Sequence, residues 1–251
     1  MPAARESDPC PSLGTARSIH VVGTNGKTST VGMVESIFKA AGKRAIACGN
    51  VGTPVIEVLT SSDFYVFLIV ELSSFQLHWT STLQLDAAAL LNIDDDHLDW
   101  HGNFDNYAQA KLKLLKQTKK SFVNKSDKVL STKVQSGSVI WFSLDTPQPG
   151  ELGVVENLLI DRAFSPSPSE ANEISELVDI TPTVPHNIMN ALAASALTLS
   201  LGIKYQDIKD GLRNFSTDHH RMELVLSKDE ISWVDDSKAT NPHATAASLM
   251  S

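Results

Sequence analysis

The stretch Gly23-Thr24-Asn25-Gly26-Lys27-Thr28-Ser29-Thr30 sets two glycines, a lysine and a run of hydroxyl side chains directly after the apolar segment Ile19-His20-Val21-Val22. Glycine lets the backbone approach a ligand closely, unpaired N–H groups at a helix start point outward, and the helix dipole favours negative charge. The chemistry is anion binding, and a Lys-Thr pair at the helix start makes the anion a nucleotide triphosphate. Gly23, Thr24, Asn25, Gly26, Lys27, Thr28 and Ser29 form the cradle, with Lys27 reaching the β- and γ-phosphates and the Thr28 hydroxyl ligating Mg²⁺. The strict motif places a glycine where Val21 stands, so an ordinary glycine turn before a helix is the plainer alternative.

Two further polar groups follow apolar runs. Glu71 comes directly after Phe64 to Val70. An acid at the carboxyl end of a buried parallel strand lies at the crevice where open α/β sheets bind ligands, so Glu71 is a candidate Mg²⁺ ligand; capping the next helix is its other reading. Asn92-Ile93-Asp94-Asp95-Asp96-His97-Leu98-Asp99-Trp100-His101 follows Leu85 to Leu91 and gathers acids and histidines. Beyond the same sheet edge as the cradle it reads as a second Mg²⁺ or substrate site, and otherwise as a solvated, helix-capping loop. Gly49-Asn50-Val51-Gly52 and Asp235-Asp236-Ser237-Lys238-Ala239-Thr240-Asn241 are polar loops after shorter strands.

These loops need a sheet to hold them. Spacing predicts a strand at Ile19–Val22, a helix through Val31, Val34, Ile37, Phe38 and Ala41 with Gly42 as its left-handed cap, and a strand at Arg44–Cys48. Buried strands at 64–70 and 85–91 follow, then a helix over Asn103–Thr118 striped by Tyr107, Ala110, Leu114 and Leu115. Residues 121–181 read as short strands at 122–123, 139–142 and 158–160, with a Ser/Pro-rich loop at 165–169. Helices are expected from Pro185 to Ser200 and from Tyr205 to Phe215. Strands at 221–226 and 231–234 flank a tight turn, and a last helix begins at Ala244. The class is α/β, a mostly parallel sheet flanked by helices.

With 251 residues the chain can bury a full core. Its 21 Lys and Arg against 29 Asp and Glu leave a net charge of −8, which argues against a nucleic-acid partner. Cys10 and Cys48 are too few for a disulfide framework and fit a reducing cytoplasm. No apolar run approaches a membrane span, and residues 1–17 show no secretory pattern and read as an unstructured leader.

Laid out in order, the motifs resemble the Mur ligase family. The likeness runs from about Ser18 to the last residue and rests on residues 23–30, 49–52, Glu71-Leu72-Ser73-Ser74-Phe75-Gln76-Leu77, 92–101, Tyr107-Ala108-Gln109-Ala110-Lys111-Leu112, His186-Asn187-Ile188-Met189-Asn190-Ala191, His220-Arg221-Met222-Glu223 and 236–241. Ser-Ser-Phe-Gln-Leu after the glutamate resembles the D-glutamate-adding branch more than a folylpolyglutamate synthase. The resemblance implies an ATP-dependent ligase of peptidoglycan precursor synthesis: ATP phosphorylates the carboxylate of UDP-N-acetylmuramoyl-L-alanine, and the D-glutamate amine attacks the acyl phosphate. A monomer acting on small molecules is expected.

By that resemblance Lys27, Lys111 and His97 are catalytic. Thr28 and Glu71 hold one Mg²⁺, and His97 with a carbamylated Lys111 the second. Without the family match, Lys111 reads as one of several solvent-facing lysines beside Lys113 and Lys116. Asn187 and Asn190 lie on the adenine side, while Arg221 and Asp236 clasp phosphate and ribose; an N-cap on the last helix is the other reading of Asp236. Asn50, Ser73 and His97 contact the muramoyl substrate, and Lys238 and Thr240 approach D-glutamate. Residues 18–215 are expected to be the family's central ATP-binding domain and 216–251 the start of an incomplete, Rossmann-like C-terminal domain. Nothing here corresponds to the family's uridine-binding domain, so nucleotide binding without ligation is the expectation for these residues alone.

Overall fold

The structure, a computed structural model, describes residues 16–250 except 136, 138, 166 and 168. Cys10 and nearly all of the 1–17 leader lie outside the described residues, and the first strand already includes Arg17. In chain order β1 (Arg17–Val22), α1 (Lys27–Ala40), β2 (Ala45–Gly49), α2 (Val55–Thr60), β3 (Phe67–Glu71), α3 (Ser74–Trp79) and β4 (Ala87–Leu90) form the first half. Then come α4 (Leu98–His101), α5 (Phe104–Leu112), β5 (Ser121–Asn124), α6 (Lys128–Lys133), β6 (Ile140–Phe142), β7 (Glu151–Val155), β8 (Leu158–Asp161) and β9 (Asn172–Glu176). The helices α7 (Pro185–Leu199) and α8 (Tyr205–Asn214), the strands β10 (Glu223–Lys228) and β11 (Ile231–Asp235), and α9 (Pro242–Leu249) complete it.

A nine-stranded sheet in the order β2-β3-β1-β4-β5-β6-β7-β8-β9 is the frame. It is parallel as far as β7, and β8 and β9 add an antiparallel edge. The chain leaves β1 for one side of the sheet and returns to its other side with β4, so the carboxyl end of β1 is a topological switch point, the place where such sheets bind ligands. Val21 is wholly buried within β1, which carries the chain straight up to Gly23. This is why the loop does without an earlier glycine.

Alternation along the strands divides the core. Ile19, Val21, Ile69, Ala87 and Ala89 face α1, α7 and α8, while Val22, Leu68, Val70, Ala88 and Leu90 face the α3 and α5 side. Each large apolar side chain buried this way stabilises the fold by roughly 1.5–3 kcal/mol. Helices α1 and α8 cross so closely that a methyl at Gly211 would sit 2.4 Å from the Ile37 Cα, and Ser36 donates to the Gly211 carbonyl at 2.7 Å.

Several sequence expectations shift. The helix expected over Asn103–Thr118 is α5, capped by the Asn103 side chain, followed by a 3₁₀ turn at Lys113–Lys116. Between 121 and 181 β7 and β9 join the expected strands, because their half-polar edges carry little apolar signal. The hairpin turn falls on Asp229 and Glu230, both left-handed at φ 52° and 62°, as a two-residue turn of right-handed twist requires. Residues after 215 form a two-stranded antiparallel sheet of their own, with Leu224, Val225, Ile231 and Trp233 exposed. Among the described residues no helix is long and apolar enough to cross a membrane.

Candidate active site

The loop after β1 enters α1 through Gly26, whose φ of +81° is left-handed. A methyl there would sit 2.4 Å from the Asn190 Oδ1, so any side chain at this left-handed position would also displace the Asn190 amide. Asn92, just beyond β4, shapes the loop from the other side. Its Oδ1 accepts from the N–H groups of Thr24 and Asn25 at 2.8 Å each, and its Nδ2 donates to the Asn25 carbonyl at 3.1 Å. Lys27 folds over the loop, donating to the carbonyls of Gly23 and Thr24 at 3.0 and 2.8 Å. Burial lowers its pKa, Glu71 and Asp96 oppose this, and Arg221 adds to it.

Glu71 is the last residue of β3 and is buried. Its carboxylate accepts from the Thr28 hydroxyl at 2.9 Å and from the Asn50 amide at 3.1 Å. It does not cap the next helix. Ser73 does, in a capping box with Gln76, which engages the hydroxyl expected to touch substrate. A hydroxyl and a carboxylate joined at the cradle suit Mg²⁺, whose site takes one or two protein oxygens and leaves the rest to water and phosphate.

Lys111 is not on the surface. Its side chain is among the largest that are fully buried, with Nζ 3.3 Å from Thr24 Oγ1 and 4.4 Å from the Tyr107 ring centre. Burial first, and Lys27 second, hold its pKa well below the usual lysine value, against Asp96, Asp94 and Asp127. Thr24 Oγ1 also accepts from the Asp94 N–H at 3.0 Å and lies 2.9 Å from the Tyr107 hydroxyl. With both lone pairs so used, its one proton goes to Tyr107 or the Asp94 carbonyl. Tyr107 reads in the sequence as an apolar stripe residue, and nothing local marks this hub.

His97 caps α4 in a left-handed conformation, half exposed, with Nε2 3.6 Å from Asp96 and its ring 4.8 Å from Phe75. The other histidine of that loop, His101, is buried and hydrogen-bonded to Ser74 at 2.9 Å. Among the described residues, His220, Glu223 and Asp235 are the group whose potential ligand atoms lie within 4.8 Å of one another. Those atoms already bond locally: His220 Nδ1 lies 2.6 Å from Asp235, and Glu223 accepts from the His220 N–H.

A cavity of about 370 Å³ opens beside the cradle, lined on one side by Asn25, Gly26, Ser29, Asn187 and Asn190 and on the other by Arg221, Asp236 and Lys238. Asn187 anchors to the Pro182 carbonyl at 2.9 Å. A smaller recess of about 170 Å³ is lined by Thr28, Glu71 and Arg221. Arg221 borders both, and its Nε is buried without a hydrogen-bond partner. Asp236 accepts from the Met222 N–H and from the Ser248 hydroxyl; the cap of α9 is Asn241 instead. Thr240 is exposed and lies outside the cavity lining.

Residues 21–198 match the family described as the Mur ligase middle domain. The chain is 50% identical over 237 residues to the UDP-N-acetylmuramoylalanine--D-glutamate ligase of Thermobifida fusca, covering 91% of this chain and 51% of that one. The Streptomyces coelicolor protein of the same name is 47% identical over 237 residues, covering 91% and 50%. The chain thus spans about half the length of the curated relatives it matches. Among solved structures, MurF ligase from Thermotoga maritima in complex with ADP superposes with a TM-score of 0.68 at 19% identity, over 94% of this chain and 56% of that one. A pseudomurein peptide ligase type C from Methanothermus fervidus gives 0.67 at 20% identity over 90% and 54%, so the same mostly parallel fold recurs. By a match that takes in the cradle, Glu71, Lys111 and the asparagines of α7, this chain belongs to the Mur ligase family.

Proposed function

We propose that this chain carries the nucleotide-binding centre of an ATP-dependent ligase that joins D-glutamate to UDP-N-acetylmuramoyl-L-alanine. One observation carries the reading: Lys27, the Thr28–Glu71 pair and the buried Lys111 with Thr24 all converge on the loop after β1. The D-glutamate assignment draws on the names of the relatives at 50% and 47% identity. Residues 18–215 serve as the central ATP-binding region and 216–251 belong to a C-terminal ligase region.

The orphaned Arg221 Nε beside Lys27 fits a bound polyphosphate, which would supply its missing acceptor. Asn187 and Asn190 face the base, and Arg221 with Asp236 faces phosphate and ribose. Thr28 and Glu71 would hold Mg²⁺, which would supply charge neutralisation at the transferred phosphoryl group. Lys111, kept toward its neutral amine, adds CO₂ to give a carbamate and a released proton. That anion and His97 would hold a second Mg²⁺. Asn50, Ser73 and His97 meet the muramoyl substrate, and Lys238 and Thr240 meet D-glutamate. Such ligation is largely positioning and charge neutralisation.

Calorimetric titration with Mg·ATP should show binding that Lys27→Ala abolishes; equal affinity in the variant would overturn the nucleotide site. The substrate reading is tested by letting this chain replace the matching half of the Thermobifida fusca relative. The chimera should form the amide from D-glutamate and not from L-glutamate, and activity on a pteroyl substrate instead would point to a folylpolyglutamate-type ligase.

A further inference from the structure

Three asparagines far apart in sequence make one continuous chain of contacts. Asn92 clamps the backbone of Thr24 and Asn25. The Asn25 side chain meets Asn241, 216 residues later: Asn241 Nδ2 donates to Asn25 Oδ1 at 2.9 Å, and Asn25 Nδ2 donates back at 3.4 Å. Asn241 Oδ1 also accepts from the Ala244 N–H at 2.8 Å and so caps α9. A second contact runs alongside, between His243 in the first turn of α9 and Asp94, at 4.0 Å. Asp94 donates its own N–H to Thr24.

What these contacts hold is otherwise lightly anchored. Helix α9 has no buried residue, and both strands of the hairpin before it are largely exposed. Segments with so little buried apolar area open at low free energy, so a few hydrogen bonds decide where they rest. Yet this segment carries Asp236 and Lys238 to the far wall of the cavity.

We propose that Asn92, Asn25 and Asn241 are positioning residues that couple occupancy of the phosphate cradle to the placement of residues 236–249. Phosphate bound at the N–H groups that follow Asn25 holds the turn, while the Asn25 N–H and carbonyl stay with Asn92. A fixed Asn25 then presents its amide to Asn241 in one orientation, and α9 follows through its cap. The inference rests on the nucleotide reading above and adds the path by which the nucleotide is felt across the cavity. Coupling between sites in proteins is typically 5- to 150-fold.

Amide hydrogen exchange, followed by mass spectrometry with and without Mg·ATP, tests it. In the wild-type chain Mg·ATP should slow exchange both in residues 23–30 and, by roughly tenfold, in residues 236–249. Asn241→Asp keeps the α9 cap but loses the 2.9 Å bond and sets a carboxylate against Asn25 Oδ1. That variant should keep the slowing at 23–30 and lose it at 236–249. Undiminished slowing at 236–249 in Asn241→Asp would overturn the relay while leaving the nucleotide site standing. If Mg·ATP does not slow residues 23–30 even in the wild type, the nucleotide reading falls and the relay with it.

Discussion

Lys111 Nζ stands 3.3 Å from the hydroxyl of Thr24, tying a buried amine in α5 to the glycine loop after β1, 87 residues earlier. Burial and the nearby Lys27 favour its neutral form, the form that reacts with CO₂. In the chimera, Lys111→Ala should lower the rate by on the order of 10²–10³, as loss of a preorganised electrostatic group does. A small carboxylic acid should restore part of it, since the anion and not the stem is what is lost. Rates with and without added formate or acetate decide this, and no rescue together with no bicarbonate dependence in the parent would assign Lys111 a structural role.

Gly26 and Gly42 separate two effects of a positive φ. Both are left-handed, at +81° and +67°, but a methyl at Gly26 meets Asn190 whereas nothing lies within 4 Å of one at Gly42. Gly42→Ala should cost only the backbone term, roughly 1–2 kcal/mol in urea unfolding. Gly26→Ala should cost more and also abolish Mg·ATP binding, because Asn190 must move. Equal losses of stability with nucleotide affinity intact in both would contradict the packing described.

Much of this site is legible in the sequence because it is local. The cradle, its helix and the acid ending β3 each lie within a few residues of the signal that announces them. What stays hidden depends on contacts across long separations. Tyr107 carries no mark of its hydroxyl's partner, Asn92 meets the loop only because the sheet order sets β4 beside β1, and Asn241 meets it only because the segment after β11 folds back onto Asn25. The surface reading of Lys111 fails for the same reason. In sequence it stands beside Lys113 and Lys116, but at four residues from Tyr107 it shares that residue's buried face, and packing of α5 against the β1 loop turns it inward.

His20 offers a prediction away from the site. It lies in β1, buried, with Nδ1 unpartnered, and burial lowers its pKa from 6.5 to about 4, against an opposing pull from Asp86. Between those values the unfolded chain holds a proton that the folded chain does not, so stability rises with pH there and is lost as acid is added. The full difference is about 3 kcal/mol at 1.36 kcal/mol per pH unit. His20→Leu should flatten that part of the stability curve relative to the parent. Parallel curves for the two proteins in urea unfolding between pH 4 and 6.5 would show that His20 does not titrate as described.

Arg221 sets stability against binding. A buried guanidinium nitrogen without a partner costs the free protein roughly 1–3 kcal/mol, and the same nitrogen becomes favourable once an anion lies against it. Arg221→Met keeps much of the apolar stem and removes the orphan. The free variant should therefore melt at or above the temperature of the parent. The gain in melting temperature on adding saturating Mg·ATP should shrink, because ligand stabilisation follows affinity. Arg221→Lys should keep a charge but lose the fork that meets two phosphate oxygens at once, leaving an intermediate gain. Differential scanning calorimetry of the three proteins, each with and without nucleotide, reads both quantities together. A variant less stable than the parent when free, yet equally stabilised by Mg·ATP, would mean that Arg221 supports the hairpin and not the phosphate.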